Sequence, residues 1–374
     1  MLSAKPQKSP GLLGLVGLLA ANFVLQAMVR DQRRAEPSDT FGKPSSRSEP
    51  LTHHVKRAAE HGRGREAIKP WQIPWRGWKD ILWRTFEEVQ NDRLLAIAAG
   101  VVFYALLAIF PAITALVSMY GLFTPPATIN QHLVFLSDVM PEGGVSIVSE
   151  QIDRVAAKGD VKLGFGFIFG LAIAIWSANA GIKAVIDALN VVYEEDEKRG
   201  FFKLNLISLG FTVAALVAIL IGIAMIVVVP LLLDRVGLGT VATIALEYGR
   251  WPGLVLALIA SLAVLYRFGP SRAQPRWQWL SVGSILATIL WIAGSALLSH
   301  YLRKYANYDA TYGSLGAAIG MMMWMWMSAI VVLLGAEINA EVEHQTAADT
   351  TVGAPRPMGT REAAMADTIG AAKS

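Results

Sequence analysis

The sequence predicts an all-α protein, a polytopic membrane helix bundle of six core spans with amphipathic interfacial helices beside it. Three observations carry that prediction. Of 374 residues, 54% are hydrophobic and only 17% are charged, with a mean hydropathy of +0.44, more apolar surface than a soluble core can use. Six long apolar stretches lie at roughly 95–122, 163–188, 205–233, 251–267, 277–301 and 314–339, each near the ~20 residues that a helix needs to cross a hydrocarbon core. None alternates apolar and polar residues with period 2, so helices are expected rather than barrel strands.

Taken in chain order, residues 1–70 form an N-terminal region with a candidate seventh span, Gly11 to Val29, followed by a flexible basic linker rich in Ser, Pro, Arg, Glu and His. Asn22 and Gln26 interrupt that stretch, so the count stays open at six or seven. Residues 71–94 read as an interfacial helix, because Trp78, Ile81, Leu82, Phe86 and Val89 recur at helical spacing with Arg76, Lys79 and Arg84 between them. The membrane domain covers 95–344. Pro111 in its first span is a candidate hinge. Between the first two spans, Ile129, Leu133, Leu136 and Met140, then Val145, Val148, Ile152 and Val155, suggest a helical hairpin broken at Pro141. The fourth span is short and is expected to start at Trp251 and Pro252. Residues 345–374 read as a disordered tail.

Charge placement sets the expected orientation. Residues 30–94 hold 14 of the 33 Lys and Arg, and the connections at 189–203 and 267–276 and the tail continue the bias, so both ends of the six-span core are expected in the cytoplasm. The chain has no cysteine, which excludes disulfides, thiolate metal sites and cysteine nucleophiles. Its six histidines, His53, His54, His61, His132, His300 and His344, form no metal-ligand pair at HxxxH or HxH spacing. No phosphate-cradling GxxxxGK loop occurs. Catalytic residues, metal ligands, a cofactor and a nucleic-acid partner are therefore not expected.

The candidate site is a polar intramembrane face. Asn179, Lys183, Asp187 and Asn190 fall at steps of four, four and three on one side of the second span, and Glu337 and Asn339 sit near the end of the last. Ionisable groups in a membrane helix need a partner or a purpose. Lys183 can pair with Asp187 or across the bundle with Glu337, and two readings stay open: helix docking through buried polar groups, or the lining of a solute or ion path. Gly166 and Gly170 in the second span, and Gly316 and Gly320 in the last, are spaced to let helices approach closely. The run Met321 to Met327 reads as packing or lipid contact rather than a thioether metal site.

The runs DRLLAIAAGVVFYALLAIFPAITALVSMYGLF, IWSANAGIKAVIDALNVVYEEDEKRGFFKL, LYRFGP and YGSLGAAIGMMMWMWMSAIVVLLGAEINAEVE resemble the YihY/BrkB family of bacterial inner-membrane proteins, once labelled ribonuclease BN. The resemblance covers about residues 78 to 344. It implies a six-helix integral protein of the bacterial cytoplasmic membrane, with links to virulence in some members, an unsettled molecular activity and no agreed catalytic residues. The expectation is a transporter or permeation protein, or one serving envelope integrity, with the lipid bilayer and a small solute or ion as partners. A metal-dependent ribonuclease and a scaffold recruiting partners through residues 75–89 are the alternatives.

Overall fold

The computed structural model describes residues 49–121, 163–228, 240–304 and 315–373. The chain divides into units Met1–Ser45 and Ser46–Ser374, and every described residue falls in the second. The candidate span Gly11 to Val29 and the hairpin expected between Ile129 and Val155 lie outside the described residues.

Helices make up the long elements. Helix α1 (Leu51–Ala58) follows Pro50, and α2 (Trp75–Asn91) follows Pro74. At the end of α2 the chain turns through Arg93, at φ 50°, into α3 (Leu94–Gly121), with 60° between the two helices. The backbone of α3 stays helical through Pro111. Helix α4 (Leu163–Val192) is followed by Glu194, also at φ 50°. Helix α5 (Phe201–Ile223) runs into a π turn at Ala224–Val228. Then come α6 (Thr240–Phe268), α7 (Ser281–Lys304), α8 (Leu315–Glu343) and the short α9 (Ala364–Asp367). Among the described residues no strand forms, and an isolated antiparallel bridge joins Pro275 to Thr351.

Four helical segments are long and apolar enough to cross a membrane: Phe201–Ile226, Tyr248–Phe268, Trp277–Leu302 and Ala318–Glu343. The bent pair α2–α3, counted as one, makes a fifth. These correspond to the third to sixth expected stretches and to the first; the second is α4, 30 residues long, part of whose side chains lie outside the described set. The fourth span departs from its expected start. Pro252 stands inside α6, twelve residues after Thr240; membrane helices accommodate interior prolines where neighbours and local adjustments satisfy the freed carbonyl.

Arginines frame α6. Arg250 lies over the Trp251 ring at 5.4 Å and Arg267 over Trp277 at 4.3 Å. They stand seventeen positions apart along the helix, about 25 Å of rise, close to the ~30 Å of a hydrocarbon core. Between them Leu256 and Val264 face outward, as lipid-facing positions do.

Helix α8 is the hub, touching α2, α3, α4, α7 and α9. Its closest partner is α7, and small residues and polar clasps explain the fit. A Cβ on Gly283 would stand 1.9 Å from the Gly335 carbonyl oxygen, and one on Gly335 would meet the Tyr266 hydroxyl at 2.7 Å. Asn339 caps the start of α7: its Oδ1 accepts the Gly283 N–H at 2.7 Å and its Nδ2 donates to the Leu280 carbonyl at 3.2 Å, serving donors that a helix N-terminus leaves unpaired. Trp291 donates to Ser328 at 2.9 Å and Trp324 to Ser295 at 3.1 Å, a reciprocal exchange between α7 and α8. Trp326 reaches the Leu95 carbonyl at 3.0 Å, and the Tyr266 hydroxyl the Val332 carbonyl at 2.7 Å. Within the Met and Trp run, Trp324 packs against α7 while Met322 and Trp326 are exposed.

Of the expected packing glycines, Gly316 and Gly320 are buried, and a Cβ on Gly320 would rest 3.5 Å from Leu302. Gly166 and Gly170 lie on α4, where their packing falls outside the described residues. The tightest crossing is instead Gly283 with Gly335. Replacing Gly283 with alanine should overpack it and cost about 1–3 kcal/mol, read as a lower thermal unfolding midpoint of the detergent-solubilised protein.

Candidate functional site

One end of the bundle is closed by a polar cap, and it corrects two expectations. The tail over 345–374 is packed through residue 373 rather than disordered, and the linker is folded over 49–70. The reason is chemical: these segments are poor in large apolar residues, and hydrogen bonds from buried arginines hold them. Arg65 donates to Glu60 at 2.7 Å, to the Gly370 carbonyl at 2.9 Å and to the Gln345 carbonyl at 3.2 Å. Arg361 binds the Ala366 and Ala347 carbonyls at 2.6 and 2.9 Å. His54 Nδ1 accepts the Ile369 N–H at 3.1 Å.

Arg84 joins three segments. From α2 its Nε donates to the Glu341 carboxylate on α8, its Nη1 to the Ala371 carbonyl at 2.8 Å and its Nη2 to Gln345 at 2.8 Å. Both partners of the Arg84–Glu341 pair are almost fully buried. Nearby, Arg272 pairs with Glu343 at 2.9 Å, lies 4.1 Å from the Tyr193 ring centroid, and Thr350 donates to the same carboxylate at 2.6 Å.

Beside these ion pairs stands a carboxyl that has none among the described residues. Glu337 on α8 is 1% exposed, and neither of its oxygens has a hydrogen-bond partner among the described residues. The strongest charges acting on it are acidic: Asp92, Glu341, Glu88 and Glu194. Two follow from backbone strain. Arg93 and Glu194 take a left-handed conformation that costs a non-glycine residue about 1–2 kcal/mol, and these corners bring Asp92 and Glu194 toward the end of α8. Burial pushes the Asp92 carboxyl up to about 7, with Glu88, Glu194 and Glu341 adding repulsion. No three His, Cys, Asp or Glu side chains among the described residues are grouped to hold a metal ion. These acids share a field rather than a coordination sphere.

The predicted polar face divides. Asn190 is a clasp, accepting the Ser271 N–H at 2.8 Å and donating to Glu197 at 3.1 Å; Asn339 is the clasp on α7. Lys183 donates to Asn205 on α5 at 2.6 Å and does not reach Glu337, while Asp187 is exposed. Asn179 is buried with its side-chain oxygen unpaired. Residues that sequence reasoning missed are Arg84 and Asp92. A signal for Arg84 was present: Asp80, Arg84 and Glu88 recur every four residues beside the buried Ile81, so one charged row lies on the packed side of α2.

Two outcomes follow. Arg84→Met should destabilise the protein by about 3–5 kcal/mol, because it strands the Glu341 carboxylate, and the double change Arg84→Met with Glu341→Leu should recover much of the loss, both read by thermal unfolding. Asp92 titrates higher folded than the ~3.9 of an unfolded Asp, so the folded state binds more protons between about pH 4 and 7. Stability should then decline as pH rises through that window, and Asp92→Asn should flatten the decline in unfolding scans.

The model of the family described as virulence factor BrkB matches residues 85–358. The chain is 30% identical over 247 residues to the putative ribonuclease-like protein YfkH of Bacillus subtilis (strain 168), covering 65% of this chain and 88% of that one. It is 26% identical to a UPF0761 membrane protein of Vibrio cholerae (strain ATCC 39315 / El Tor Inaba N16961), over 73% of this chain and 92% of the relative. A UPF0761 membrane protein of Rhodospirillum centenum (strain ATCC 51521 / SW) is also 26% identical, over 71% of this chain and 58% of its own length. No solved structure matches. With the family model spanning most of the chain and the bundle helical and apolar, this is a membrane protein of the BrkB virulence factor family.

Proposed function

We infer that the protein is a permeation protein of the bacterial inner membrane that passes protons or small cations, with the capped end and both termini of the core in the cytoplasm. The single observation behind the reading is Glu337, a carboxyl buried toward the end of a membrane helix with no hydrogen-bond partner among the described residues and four other acids acting on it. An uncompensated ionisable group in a bundle is expensive, and a docking role leaves it unexplained, since Asn190, Asn339 and Arg84 already dock the helices. Like-signed neighbours favour uptake of a positive charge there. Asn179, buried with an unpaired oxygen, supplies a polar group farther along α4. Lys183 and Asp187 stand outside this path. The arginines gathered in the cap support the cytoplasmic assignment through the positive-inside bias.

The test is flux from liposomes. Purified protein reconstituted with an internal pH dye, or with sodium- and potassium-sensitive dyes, is given an imposed gradient, and wild type is compared with Glu337→Gln. Wild type should dissipate at least one gradient faster than protein-free vesicles. Glu337→Gln should slow it by about tenfold or more, the scale of losing a proton-transferring group, while its unfolding midpoint holds or rises because an unpartnered carboxyl is no longer buried. Equal flux in both proteins, or no flux of any of the three cations, overturns the reading.

A further inference from the structure

Helix α2 has a second face, which the cap does not use. Asp80, Ile81 and Arg84 are buried, while Trp75, Leu82 and Phe86 are 67%, 50% and 68% exposed. These three fall on one side of the helix, about one and two turns apart. They border a surface groove of about 750 Å³ that is also lined by Arg63, Arg76, Lys79 and Lys373. Asp80 is the one acid of the lining, and Arg63 Nη1 donates to both of its carboxylate oxygens, at 2.7 and 2.8 Å. Arg76, Lys79 and Lys373 form no ion pair with a described carboxylate; the Lys79 ammonium lies 5.8 Å from the Trp75 ring centroid.

We propose that this groove binds the headgroup of an anionic phospholipid, with the phosphate held by Arg76, Lys79 and Lys373 and the acyl chains laid along Trp75, Leu82 and Phe86. The occupant follows from the pairing of chemistries. A free anion would leave three large apolar side chains wet, and a neutral lipid would leave three cations without a counter-charge. An anionic lipid satisfies both, and aromatic rings beside cations are what a membrane interface selects. The location agrees. Helix α2 leaves the first membrane helix at 60° on the same side of the bundle as Arg267 and Trp277, whose stacked pair marks headgroup level at the end of α6. The site is separate from Glu337 and does not depend on the permeation reading.

Native mass spectrometry of the full chain in detergent, offered equal dioleoylphosphatidylglycerol and dioleoylphosphatidylcholine, tests it. Each cation beside an anionic headgroup is worth about fivefold in affinity. Wild type should retain phosphatidylglycerol over phosphatidylcholine, and the double variant Arg76→Gln with Lys79→Gln should lose about twentyfold of that preference. The charge-keeping pair Arg76→Lys with Lys79→Arg should preserve most of it. Lys56→Gln with Arg356→Gln removes the same charge from outside the groove and should leave the preference intact. Equal retention of the two lipids by wild type overturns the proposal. So does a preference that survives the first double variant, or one lost as completely in the outside pair. Both groove cations are exposed, so unfolding midpoints should match and binding is read on folded protein.

Discussion

A buried guanidinium must have its donors and its charge met from within the protein, and at Arg84 that requirement gathers chain segments that lie hundreds of residues apart. Its partners are a carboxylate near the end of the last membrane helix, a side chain just beyond it and a carbonyl close to residue 373. Arg65 repeats the pattern with Gln345 and Gly370. Neither arginine can be satisfied unless α8 is docked and the tail has folded back. The cap and the bundle are therefore one cooperative structure, in which satisfying the arginines fixes the position of α2 and hence the corner at Arg93.

Helix α8 serves two ends with residues that are neighbours in sequence. Gly335 and Asn339 face α7 and set a contact so close that a methyl group would be excluded. Glu337, between them in sequence, is buried with no hydrogen-bond partner among the described residues. Rigid docking on one side is what allows an unfavourable group to persist on the other, because the helix cannot rotate to expose the carboxyl without breaking the Asn339 clasp and the reciprocal Trp–Ser bonds. The strained corners at Arg93 and Glu194 belong to the same economy: unfavourable local conformations retained where acids gather.

The helical class, the apolar stretches and the membrane family were legible because they rest on run length and composition, properties that survive without knowledge of contacts. The polar face on α4 was legible as a periodicity, but periodicity did not distinguish a clasp such as Asn190 from a residue such as Asn179 whose oxygen stays unpaired. The cap was not legible. Residues 345–374 carry mostly Ala, Thr, Gly and charged side chains, a composition that normally lacks the apolar area to fold; here the compensation comes from arginines about 280 residues earlier, which no local pattern reveals. The stripe on α2 was legible as an apolar periodicity, but its division was not: Leu82 and Phe86 are exposed while Ile81 and Arg84 are buried, because the helix packs by charge on one side and leaves apolar side chains on the other.

The closure of the cap carries a consequence for biogenesis. Arg65 and Arg84 leave the ribosome long before Glu341, Gln345, Gly370 and Ala371 are made, so during most of synthesis two guanidiniums wait at the membrane surface with their eventual acceptors absent. Residues 345–373 therefore act as a seal on assembly. A nascent chain stalled or clipped ahead of them would hold its membrane helices yet keep an open, charged seam at the capped end.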